Sequence, residues 1–139
     1  MVFDERRARN LGEGYGRSSL PGYAGFLTYR YLLLFARDTG RLSDGSLRDS
    51  AGLSRYAGEN NLLDLVIHME RLEDDLVAVL GSLGVAVSAE AEALIWSTPP
   101  TNTSSRRRDF GSYYDPETAG LVAERENLIV ARFGYVSPV

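Results

Sequence analysis

Three consecutive arginines, Arg106, Arg107 and Arg108, are the side chains of this sequence best suited to chemistry. Pro99-Pro100 and Asn102-Thr103-Ser104-Ser105 precede them, residue types that favour turns over helix or strand. Guanidinium forks set beside hydroxyls and an amide can grip a phosphate bidentately. The same composition also describes a solvated basic loop, and the residues alone leave both readings open. Directly after the triplet comes Tyr113-Tyr114-Asp115-Pro116-Glu117-Thr118. Asp115 suits an N-cap, Pro116 suits the first helical position, and Glu117 suits the positive end of a helix.

The rest of the composition narrows the chemistry. All 15 basic residues are arginine, so no lysine can serve as a proton shuttle or Schiff-base amine. Cysteine is absent, which excludes disulfides, thiolate metal sites and cysteine nucleophiles. His68 is the only histidine, and with no second one and no thiol it is not read as a metal ligand; no metal is expected. Acid–base work would fall to carboxylates, tyrosines or that one imidazole. A net charge of −4 over 139 residues argues against a general binder of nucleic acid or of anionic membranes. The longest apolar run, Tyr31 to Ala36, is far short of a membrane span. The N-terminus shows no apolar signal core, so a cytoplasmic location is expected.

The elements that would carry these residues read mostly as helices. Residues 1–22 are rich in charge and glycine without a usable period, and are expected to form a flexible arm ahead of a region over 23–136. Tyr23 to Asp38 is apolar nearly all round, which predicts a helix buried on most faces or pressed on a partner. A short helix is expected around Ser46 to Tyr56. Leu62 to Glu70 has a compact apolar centre with a β-branched pair, and reads as a strand. Leu72, Leu76, Val79, Leu80 and Leu83 then repeat at helical spacing, with acids in the first turn and Gly84 as the stop. Ser88 should cap a helix to Trp96, and a terminal helix should run from Pro116 to Phe133 and end at Gly134. A strand leading directly into an acidic helix puts Glu70 at the carboxyl edge of a sheet, where ligands of open α/β sheets collect. Against that, Glu70 can simply fix the turn by accepting backbone or Arg hydrogen bonds, and this structural role is the reading preferred.

In this order the motifs resemble the C-terminal half of bacterial sulfotransferases that use 3′-phosphoadenosine 5′-phosphosulfate (PAPS). Glu70-Arg71-Leu72-Glu73-Asp74-Asp75-Leu76 matches an E-x-L-x-x-D pattern at a late strand–helix junction. Gly84, Asn102-Thr103-Ser104, Arg106 to Arg108, Tyr114 to Thr118 and Phe133-Gly134-Tyr135 follow in the family's sequence. The resemblance spans residues 60–136, with a looser likeness over 23–40. It implies an α/β origin, reduced in this chain to a mostly α structure with one or two strands and an incomplete sheet. It implies that Arg106, Arg107 and Arg108 bind the 3′-phosphate of PAPS as co-substrate, with Asn102 and Ser104 orienting the turn. Glu70 and Asp75 match positions whose family role is mostly structural.

Two departures matter. The family's turn reads Arg-Lys-Gly where this chain has three arginines, so the charge is kept without the glycine that allows close backbone approach. The loop that cradles the 5′-phosphosulfate has no match, nor does the middle segment that helps hold the 3′-phosphate. The expectation is therefore transfer of a sulfuryl group to a hydroxyl acceptor by an incomplete unit, a truncated product or half of a split enzyme. Its partner would be a complementing N-terminal half, or a second copy through residues 23–36. The alternative is a non-catalytic helical module for binding or assembly.

Overall fold

The structure is a computed structural model that describes residues 13–99, 101 and 110–136. It is mostly helical, as the sequence predicts, and its described residues fall into two compact units: 13–62 with 110–136, and 63–99 with 101.

The first unit holds α1 (Glu13–Arg17), α2 (Phe26–Phe35), α3 (Ser50–Asn60), α6 (Pro116–Arg125) and α7 (Asn127–Phe133), joined in part by short 3-10 turns. The described part of the expected arm, from Glu13, is helical, and its Leu20 is fully buried. The core is built on Leu20, Leu32, Leu42, Leu47, Leu53 and Tyr56. Each such side chain contributes about 1.5–3 kcal/mol through removal from water. Hydroxyls at the edge of this core are tied down by hydrogen bonds. Ser19 Oγ and Tyr23 Oη both donate to the Leu47 carbonyl, at 2.6 and 2.9 Å. Tyr31 donates to Asn61 Oδ1 at 2.8 Å and meets the Phe133 ring edge-on. Burial pushes the phenols of Tyr15, Tyr23, Tyr31 and Tyr56 above the ordinary tyrosine range.

The terminal helix is not continuous. Glu126 leaves helical geometry at φ −103° and ψ 19°, separating α6 from α7, and its carboxylate is engaged elsewhere in the unit. Oε2 accepts from the Thr28 amide and from Thr28 Oγ1, both at 2.7 Å, and Oε1 accepts from the Leu27 amide at 3.0 Å. The two amides are orphan donors of the first turn of α2, whose N-cap, Gly25, has no side chain to satisfy them. A Cβ on Gly25 would strike the Glu126 carboxylate, so the glycine is what lets the acid in.

The second unit holds α4 (Leu72–Ser82) and α5 (Ala89–Ser97). Gly84 sits at φ +74° and closes the first helix, and Ser88 Oγ accepts from the Ala91 amide to start the next. The strand expected over 62–70 is corrected. Residues 62–68 are not helical, but among the described residues no neighbouring strand pairs with them; the isolated bridge Ala36–Asn61 is the only pairing there. A strand needs a ladder partner, and apolar character alone does not supply one. Leu65, Val66 and Ile67 are consecutive and all exposed. No described residue from 63 to 101 is buried.

Candidate functional site

Arg106, Arg107, Arg108, Asn102 and Ser104 lie outside the described residues. The structure does describe the elements beside the turn in sequence. On the C-terminal side, a 3-10 turn over Phe110–Tyr113 leads to Asp115, whose Oδ1 accepts from the Thr118 amide at 2.7 Å. That bond from the Thr118 amide holds the Asp115 carboxyl below its usual range, helped by the Thr118 side chain. Pro116 occupies the first turn, as expected from its fixed φ and missing N–H. The start of α6 is therefore set by two residues that are legible in the sequence.

On the N-terminal side, Thr98 Oγ1 donates to the Leu94 carbonyl at 2.6 Å and ends α5 ahead of Pro99. Leu72, Leu76, Ile95 and Pro99 wall an open cleft of about 290 Å³ between α4 and α5, edged by Glu73, Thr98 and Thr101. Its walls are aliphatic, with a single carboxylate among them.

The acidic motif resolves into a distinct arrangement. Asp75 lies one turn into α4 and reaches back to His68, where the non-helical run 62–68 ends. Its Oδ2 accepts from the His68 amide at 2.9 Å and lies 2.7 Å from His68 Nδ1. The amide bond and then the ring bond hold the Asp75 carboxyl below the usual aspartate range. Arg71 Nη2 approaches Asp75 Oδ1 at 3.6 Å. The acid that fixes this turn is thus Asp75, where the sequence offered Glu70 as well. Glu70 sits exposed in the 3-10 turn Met69–Arg71. A carboxylate seven residues past its partner carries no sequence signal beyond the motif itself.

No protein-family model, curated protein or solved structure matches this chain. Among the described residues no group of acids and histidine is placed to hold a metal ion, and no helix is long and apolar enough to cross a membrane.

Proposed function

We propose that this chain is a sulfotransferase-type C-terminal region that binds the 3′-phosphate of PAPS or of its product, 3′,5′-adenosine bisphosphate. Arg106, Arg107 and Arg108 grip the phosphate, and Asn102 and Ser104 orient the turn. Transfer itself needs a 5′-phosphosulfate cradle and a general base, which come from residues outside this sequence. The observation that carries the reading is the state of the motif's acids. Asp75 ties His68 to α4, and Asp115 caps α6. The resemblance gives the Asp75 position a mostly structural role, and the residue types themselves predict Asp115 as the cap. A three-arginine turn has the charge to hold a dianion through charge-assisted hydrogen bonds.

The second reading, a helical assembly module, is favoured by the exposed run Leu65-Val66-Ile67 and by Leu27, Leu33 and Leu34 of α2. Surfaces of that kind serve partners. The two readings are compatible if the covering partner is the half that brings the cradle.

Calorimetric titration with 3′,5′-adenosine bisphosphate tests the site. Without the cradle, affinity should fall in roughly the millimolar to high-micromolar range. Added salt should weaken it, and Arg107→Ala should weaken it further, by about 1–3 kcal/mol. Binding unchanged by Arg107→Ala, Arg106→Ala and Arg108→Ala in turn would reduce the triplet to a solvated loop.

A further inference from the structure

The cleft between α4 and α5 has aliphatic walls and little polar chemistry to offer. Of the groups at its edge, Thr98 Oγ1 is spent on the Leu94 carbonyl. Glu73 is the carboxylate among its lining residues, and among the described residues no ion pair engages it. Glu92 lies three residues before Ile95, hence on the same face of α5, and is exposed. A small polar ligand needs several convergent polar anchors, which these walls do not supply. The apolar surface also runs past the cleft. Leu72, Leu76, Val79, Leu80 and Leu83 share one face of α4 and its C-cap at helical spacing, and none of them is buried. A face of that length suits a second helix laying its i, i+3, i+4 and i+7 side chains into a groove.

Charge selects which helix. Residues 63–99 hold seven acids and one arginine, Arg71, whereas 13–62 with 110–136 hold nine acids and eight arginines. The acidic excess is therefore concentrated in the unit that carries the cleft, and apolar walls focus such a field on whatever approaches. We propose that the α4–α5 cleft docks a cationic amphipathic helix of a partner protein. Its apolar stripe lies against Leu72, Leu76 and Ile95, and its basic side chains meet Glu73 and Glu92. This goes beyond the nucleotide reading and rests on the assembly reading, to which it adds the chemistry of the partner. A helix of opposite charge gains the same apolar contact but meets repulsion at the rim, so the acids discriminate between partners by sign.

The probe is a synthetic peptide of about 14 residues, some four helical turns, with leucine at i, i+3, i+4 and i+7 and lysine elsewhere. It is titrated calorimetrically into the full chain beside a counterpart with glutamate in place of lysine. The lysine peptide should bind at least about tenfold more tightly, and added salt should narrow the difference. Glu73→Gln combined with Glu92→Gln should weaken the lysine peptide about threefold to tenfold, as loss of two exposed charge pairs does. Glu117→Gln with Glu124→Gln, on the other unit, should leave it unchanged. Leu72→Ala should weaken it through lost apolar contact; should that variant fail to fold, the glutamine variants decide. Equal binding of the two peptides would overturn the charge selection and leave an apolar assembly face standing, whereas binding of neither would remove the docking site itself. Equal losses in the two glutamine pairs would reduce the effect to general attraction by an acidic chain and contradict the proposal. So would binding that appears only when Arg106, Arg107 and Arg108 are replaced by alanine, since the acids would then be answered within the chain.

Discussion

Glu126 accepts three hydrogen bonds from the first turn of α2, across 98 residues of sequence to Thr28. The neighbouring Arg125 adds two more ties, its carbonyl accepting from the Gly25 amide at 2.6 Å and its guanidinium donating to the Pro21 carbonyl at 2.8 Å. Thr28 is fully buried, so losing the carboxylate strands its hydroxyl and its amide, while the exposed Leu27 amide can turn to water. Glu126→Ala should therefore cost about 2–3 kcal/mol in urea unfolding, since hydrogen bonds to a charged group are the strong class. Gly25→Ala should destabilise as well, because the new methyl and the carboxylate compete for one place. A Glu126→Ala chain as stable as wild type would show that water replaces the clamp without loss. Nothing around Glu126 in sequence announces this role. It reads as one more acid in an amphipathic helix from Pro116 to Phe133, and its partners are set only by the tertiary fold.

The helix starts and stops, by contrast, were legible because their chemistry is local. Ser88 and Asp115 each satisfy an amide three residues on, and Gly84 and Gly134 adopt the positive φ that closes α4 and α7. Asp49 performs the same service for α3, accepting from the Gly52 amide at 2.7 Å, and places that helix a few residues later than the expected Ser46 to Tyr56. The run 62–70 was misread as a paired strand for the converse reason. Its apolar, β-branched character is a property of the segment, whereas a ladder is a property of two segments. The depressed carboxyls of Asp75 and Asp115 give these elements a common pH dependence. Their folded values lie below the unfolded aspartate value of about 3.9, so their contribution is complete above it and is lost as pH falls through the folded values. Helix content followed by circular dichroism should hold down to about pH 4 and then decline. Asp75→Asn and Asp115→Asn together should shrink that acid-dependent part of the loss. An unchanged acid profile in the double variant would assign the loss to other groups.

At the scale of the whole molecule, one unit has a packed core and the other has none of its described residues buried. In the second unit the helix pair follows an exposed apolar run, a surface of the kind that partners cover. This fits the proposal that the chain supplies one side of a nucleotide site and relies on a second component for the other. The Arg turn was visible in the sequence from its composition alone, but its geometry lies outside the described residues, so its role is decided by binding. The most direct measurement is a paired calorimetric titration of the full chain with 3′,5′-adenosine bisphosphate and with 5′-AMP, at low salt and equal concentration. The two ligands differ only in the 3′-phosphate. The account predicts weak but measurable binding of the bisphosphate and at least roughly tenfold weaker binding of 5′-AMP, the preference of about 1.4 kcal/mol or more that one charge-assisted contact supplies. Equal binding of both nucleotides, or of neither, would contradict it.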